Sequence, residues 1–275
     1  MKVRVGPDRG PNQTSAAASA PGSYRTCDAL NQADAEAATP GVRYRPRTVS
    51  AGPPLTEETL RLAVRELTAR DSDLASIVGR FGPPPLWDRP TGFATLTHIV
   101  LEQQVSLASA QAAFDRLRAS VGRLTPTRFL QLDDAQLLAI GFSRQKTGYV
   151  RELARAVQSG ALDLNGLASL PDEEVHRELA ALKGLGPWST AIYMMEALLR
   201  PDVWPASDLA LIASVVTVKR LERRPNAGAM EALAEQWRPW RSVAARLFWH
   251  DYLSRRGKAL PGREPVAGDV SPNSD

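Results

Sequence analysis

An all-α fold is predicted for this chain of 275 residues. Apolar residues recur at helical spacing across most of residues 55–260, the mark of helices with one buried face. No turn dipeptide sits between two alternating apolar runs, so no β-hairpin is foreseen. A hydrophobic content of 43% suffices for one or two compact cores.

Taken in order, residues 1–54 mix Pro, Gly, Ser, Ala, Asn and Arg without period and read as a disordered tail. The helical domain is expected over 55–260, and 261–275 reads as a second disordered tail. Thr56 can cap a helix running to residue 70, with Leu60, Val64 and Leu67 on one face. A helix over 72–80 stops before Pro83-Pro84-Pro85. Helices follow over 93–104 and 106–121, with shorter ones starting at Thr127 or Asp133, then 146–158 and 172–182. Glycine-rich residues 184–186 separate the last of these from a helix over 188–200. Two further helices are expected over 209–223 and 228–255.

The charge balance is +4 with a sequence pI of about 9.4, which suits a nucleic-acid partner. Ten Lys or Arg face four Asp or Glu between Ser214 and Lys258, and that excess predicts a phosphate-facing surface. The single cysteine, Cys27, excludes a disulfide framework or a Cys-based zinc site. His98, His176 and His250 lack metal-ligand spacing. No stretch is long and apolar enough to span a membrane, no secretory signal core is seen, and a cytoplasmic setting is expected.

Chemistry concentrates in residues 182–208. Leu182-Lys183-Gly184-Leu185-Gly186-Pro187-Trp188 is a tight glycine hairpin opening a helix near Pro187. Gly184 and Gly186 free the backbone for positive φ and close approach to another chain. The helix start presents unpaired N–H groups and a positive dipole end, which bind phosphate oxygens. About twenty residues on, Trp204-Pro205-Ala206-Ser207-Asp208-Leu209 carries a lone aspartate. Asp208 is either a plain helix cap or a catalytic carboxylate.

Three further motifs complete the set. Ile99-Val100-Leu101-Glu102-Gln103-Gln104-Val105-Ser106, Gly141-Phe142-Ser143-Arg144-Gln145-Lys146, the hairpin, the Asp208 segment and Trp237-Arg238-Pro239-Trp240-Arg241-Ser242 occur in one order. That ordered set, over residues 92–257, resembles the helix-hairpin-helix DNA glycosylases, nearest the bacterial 3-methyladenine-DNA glycosylase II group. The resemblance implies two helical lobes with a substrate cleft between them and a helix-hairpin-helix at about 172–200. Relatives often add an N-terminal α/β domain, for which residues before Leu55 are too sparsely patterned.

The resemblance also implies an activity and its residues. It implies hydrolysis of the N-glycosidic bond of an extruded alkylated purine, with Asp208 as the catalytic carboxylate. Bifunctional relatives place a lysine where Trp188 stands, so a monofunctional enzyme without lyase activity is implied. Gln103, Trp188, Tyr193 and Trp249 would line the base pocket, where aromatic faces attract a cationic base. Gln104, Lys183, Gly184, Gly186 and Ser189 would meet DNA, Gln104 near the wedge that fills the vacated stack. Backbone carbonyls of Ala180, Leu182 and Leu185 would hold a structural Na+ or K+, and no other cofactor is required. The expected partner is double-stranded DNA containing alkylated bases, met by a monomer. A same-fold enzyme for another lesion and a non-catalytic DNA-binding protein are the alternatives. Trp237 and Trp240 read as core residues.

Overall fold

The computed structural model describes residues 53–257, and the expected tails and Cys27 lie outside them apart from Pro53 and Pro54. Twelve α-helices and two 3₁₀ turns make up the described residues, and no strand is found among them. The first helices follow local rules closely. Thr56 caps α1 (Glu57–Arg70) in a capping box with Thr59, and Leu60, Ala63, Val64 and Leu67 are buried. Asp71 ends that helix and caps α2 (Ser72–Phe81) through the amides of Asp73 and Leu74.

A bridge from Gly82 to Gly92 then leads to α3 (Phe93–Glu102), which is shorter than expected. Gln103 leaves the helix in an extended conformation and Gln104 adopts φ 58°, so 93–104 is a helix plus a turn. Ser106 caps α4 (Leu107–Val121). Short helices α5 (Pro126–Leu130) and α6 (Asp134–Ile140) are capped by Thr125 and Asp133. Thr127 therefore lies within α5, because Pro126 already takes its first position. Ser143 starts α7 (Arg144–Gln158), and a 3₁₀ turn at Gly166–Ser169 precedes α8 (Asp172–Ala180).

After the hairpin come α9 (Pro187–Glu196) and α10 (Leu209–Val218). The helix expected over 228–255 is interrupted. It divides into α11 (Ala227–Ala234), a 3₁₀ turn at Glu235–Trp237, and α12 (Arg241–Ser254). Pro239 accounts for the break, since it has no N–H to continue the ladder.

Helix packing sorts into two groups. In one, α3 packs on α4, α7 and α9, with α5 and α6 against α7 and α8 against α9. In the other, α12 packs on α1, α2 and α10. The chain passes from the first group to the second through residues 197–208. Buried Arg246 of α12 stitches the groups by donating to the carbonyls of Leu86 (2.7 Å) and Met195 (2.6 Å). Arg89 does likewise within the first, pairing with Glu102 at the end of α3 (2.7 Å) and Glu196 at the end of α9 (2.8 Å).

The segment leading to Asp208 is fastened from both sides. Ser242 Oγ accepts the Val203 amide and donates to its carbonyl. Arg238 and Arg241 grip Asp202 at 2.6 and 2.9 Å. Trp204 stacks into a core cluster with Trp237 and Phe248, ring centroids 5.2 and 6.4 Å away. The Trp237–Ser242 motif thus holds the connection that delivers Asp208. Trp237 is fully buried as expected, while Trp240 is half-buried and donates its Nε1–H to Glu66.

Candidate active site

Asp208 sits where the two helix groups meet. It is half-buried and caps α10, its Oδ1 accepting the Leu211 amide at 2.7 Å. Two indoles converge on the same carboxylate. Trp188, from the first turn of α9, donates Nε1–H to Oδ2 at 2.8 Å. Trp249, from α12, donates to Oδ1 at 3.0 Å. One indole comes from each helix group, and 20 and 41 residues of sequence separate them from Asp208. Asp208 is therefore a helix cap whose carboxylate also collects two indole donors.

Every one of these donors is neutral. Among the described residues no Lys, Arg or His forms an ion pair with Asp208. The three N–H groups fix the orientation of the carboxylate at the start of α10. The result is an oriented anion whose charge is left for something else. Leu209, next in sequence, is an apolar side chain 56% exposed beside it.

The hairpin lies on the other side of Trp188. Gly184 takes φ 94°, and a Cβ there would meet the Tyr149 ring at 2.2 Å, so only glycine fits. Gly186 differs from expectation: its φ is −68°, ordinary for any residue, and a Cβ would meet nothing within 4 Å. Pro187 takes the first position of α9 as expected. Lys183 is exposed in the turn, its amide 3.4 Å from Glu152 Oε1.

Two expected site residues serve the hairpin itself. Gln103 directs its Nε2 amide protons to Gly184 O (2.7 Å) and Ser189 Oγ (2.8 Å). Its donors are thereby taken up by protein, away from a base pocket. Ser189 is buried and accepts that bond, so it does not reach a DNA-facing surface. Tyr193 also departs from expectation. It is fully buried, accepts the Gly92 amide at 3.0 Å, and burial pushes its phenol up. Its ring is a core element without a face open to a base.

Gln104 is exposed at a left-handed φ that non-glycine residues adopt at a cost of about 1–2 kcal/mol. Beside it Val105 is 47% exposed. This tip projects from the end of α3, next to the hairpin that Gln103 holds.

The expected cation carbonyls lie along the hairpin. Leu182 O accepts the Leu185 amide at 3.1 Å, and Leu185 O accepts Thr190 Oγ1 at 3.3 Å. Each carbonyl retains a second lone pair, and main-chain oxygens suit a hard monovalent ion. Among the described residues no group of three His, Cys, Asp or Glu side chains could hold a metal.

The basic segment is used differently from expectation. Lys219 pairs with Asp71 and Asp73, Arg238 and Arg241 with Asp202, and Arg255 with Asp251, while Arg246 is fully buried. Part of that charge therefore balances carboxylates of the protein, while Arg220, Arg223, Arg224 and Arg256 are exposed. No described helix is long and apolar enough to cross a membrane.

Comparison with known proteins decides the family. The model of the HhH-GPD superfamily of base excision DNA repair proteins matches residues 97–239. The chain belongs to the HhH-GPD superfamily. That span covers the Gln104 tip, the hairpin, Trp188 and Asp208, while Trp249 lies beyond it. The chain is 28% identical over 180 residues to DNA-3-methyladenine glycosylase 1 of Schizosaccharomyces pombe, covering 64% of this chain and 79% of that protein. It is 27% identical over 158 residues to YfjP of Bacillus subtilis, 54% of this chain and 55% of that protein. The chain thus spans about half the length of the latter. Among solved structures, the S. pombe 3-methyladenine DNA glycosylase in complex with abasic DNA superposes with a TM-score of 0.63. That match has 27% identity and covers 68% of this chain and 95% of the other.

Proposed function

We propose that this HhH-GPD protein is a monofunctional DNA glycosylase that excises alkylated purines of the 3-methyladenine class from duplex DNA. The observation that carries this reading is Asp208, an anion oriented by one amide and two indole N–H groups without a cationic partner. As the N-glycosidic bond of an extruded nucleotide breaks, positive charge develops on the sugar. A fixed carboxylate stabilises that charge, and it can orient or deprotonate the attacking water. An alkylated purine leaves as a neutral base because it already carries positive charge. A second carboxylic acid, as most glycoside hydrolases use, is then unnecessary.

The lysines support the monofunctional reading. Trp188 occupies the position where bifunctional relatives carry the amine. Of the lysines in the described residues, Lys146 is bound to two carbonyls, Lys219 to Asp71 and Asp73, and Lys183 stands exposed in the hairpin. None is hydrogen-bonded to Asp208. The hairpin, with Gly186 open at the start of α9, supplies phosphate contacts, and a Na+ or K+ on the Ala180, Leu182 and Leu185 carbonyls would rigidify it. The Gln104–Val105 tip fills the stack vacated by the extruded base. The protein acts as a monomer on one duplex, in the cytoplasm.

The test is incubation with methylated duplex DNA and chromatography of the released bases. Free 3-methyladenine or 7-methylguanine, with strands cut only after mild alkali, is the expected outcome. Strand cleavage without alkali would show lyase chemistry. No released base would show a different lesion or a binding role.

A further inference from the structure

The Gly141–Lys146 motif is not used by the reaction, yet its last residue touches the DNA-facing tip from behind. Lys146, in the first turn of α7, donates Nζ–H bonds to Leu101 O at 2.8 Å and Gln103 O at 2.7 Å. Leu101 O lies in the last turn of α3 and Gln103 O at its extended C-cap, where helical acceptors lack intrahelical donors and the dipole end is negative. An ammonium there satisfies two orphan acceptors and suits the dipole at once. Lys146 is half-buried, and burial pushes its ammonium down from the ordinary lysine value.

Gln103 is consequently held on both sides. Its side chain is fastened forward to Gly184 and Ser189, and its carbonyl is fastened backward to Lys146. The next residue, Gln104, has φ 58° and an exposed side chain. Strained backbone persists only when its surroundings over-determine it. Here the fastening lies one residue before the strain. From Ser106 onward α4 is capped by its own side-chain bond.

We propose that Lys146 is a positioning residue which holds the Gln104–Val105 tip in its projecting conformation before DNA arrives. The inference rests on the tip filling a vacated stack, as in the reading above. Without the ammonium, Leu101 O and Gln103 O lose their donor and Gln104 relaxes toward ordinary backbone. The tip must then be ordered on binding, which weakens complexes that depend on insertion. Complexes held by phosphate contacts alone are spared.

The experiment compares binding to two duplexes, one intact and one containing a single tetrahydrofuran abasic analogue, for wild type and Lys146→Met. Binding needs no catalysis, so the readout is independent of base release. The wild type is expected to prefer the abasic duplex. Lys146→Met should lower that preference about tenfold, the scale of one charge-assisted hydrogen bond, and leave intact-duplex affinity within about twofold. Amide exchange over residues 102–106 should quicken. In a Gln104→Ala background the effect of Lys146→Met should shrink to within about twofold, since the tip it positions is gone.

Lys146→Met with wild-type preference would overturn the proposal alone. So would equal losses on both duplexes, which would make Lys146 a phosphate contact. A wild type without any preference would overturn the glycosylase reading as well. If Lys146→Met does not fold, Lys146→Gln, which retains a donor group, is judged by the same ratio and should fall between wild type and about tenfold loss.

Discussion

Asp71 and Asp208 are the same local device in opposite electrostatic settings. Each caps a helix, and each accepts a tryptophan Nε1–H at 2.8 Å, Asp71 from Trp237 and Asp208 from Trp188. They are also linked through α10, which Asp208 opens and Lys219 follows. Lys219 Nζ reaches both Asp71 oxygens at 2.8 Å. Asp71 is buried and its charge is neutralised. Asp208 is half-exposed and holds only neutral donors. Capping geometry therefore does not distinguish a structural carboxylate from a chemical one. On the proposed reading, the presence or absence of a cation does.

Removing the charge at Asp71 should show the difference first. Asp71→Asn leaves the Lys219 ammonium with Asp73 as its one remaining carboxylate partner and weakens a largely buried pair, a loss on the order of 3 kcal/mol. Denaturant unfolding measures it, and base release per folded molecule should be unchanged. If activity fell with stability intact, the division of roles would be wrong.

The hairpin glycines offer a second contrast of the same kind. Gly184→Ala drives a Cβ into Tyr149 at positive φ and should cost about 2–3 kcal/mol of stability. Gly186→Ala meets nothing and should leave stability within about 0.5 kcal/mol. On the proposed reading, titration with duplex DNA should nevertheless show weaker binding, because a Cβ at that open position would obstruct an approaching phosphate.

Next in size is the role of the indole N–H groups. Trp188→Phe and Trp249→Phe keep an aromatic face and remove only the donor to Asp208. Single-turnover base release should fall about tenfold or more, the worth of a hydrogen bond to a charged group. Unchanged rates would mean that the rings act by stacking alone.

The smallest effect is the acid dependence of stability. Burial opposes the charge on Asp71, but the Lys219 and Trp237 hydrogen bonds, the Lys219 charge and the Leu74 amide together hold its carboxyl below its ordinary value. A depressed folded-state value stabilises the protein above the unfolded value, and the benefit is lost as pH falls through the folded one. Wild-type stability should decline in that acid window. Asp71→Asn should lack this component of the decline.

Sequence alone revealed the helices whose signals are local. The Thr56 cap, the apolar face of α1, Pro187 opening α9 and Asp208 ahead of α10 all appear where spacing and capping residues place them. What it concealed was mostly the direction of side chains across long separations. Trp188 and Trp249 were expected to show ring faces to a base, and their N–H groups meet on Asp208 from different helix groups. Gln103 lies in a motif whose visible feature is its glutamine pair, yet its partners are 81 and 86 residues away. Tyr193 at helical spacing is core, because α9 is buried almost all round. The C-terminal charge excess was only partly legible for a related reason. A count of arginines carries no information on the carboxylates, half-buried Asp202 and buried Asp251, that several of them neutralise. Lys146 stood in a recognised motif, but its acceptors are backbone carbonyls, which leave no trace in sequence.

Asp208→Asn decides the central claim most directly, measured as single-turnover release of methylated purines beside binding to the same duplex. Asparagine still caps α10, so stability should hold within about 1 kcal/mol. Base release should fall about a thousandfold while duplex affinity survives. Base release near the wild-type rate, or equal loss of binding and release, would contradict it and leave Asp208 a cap.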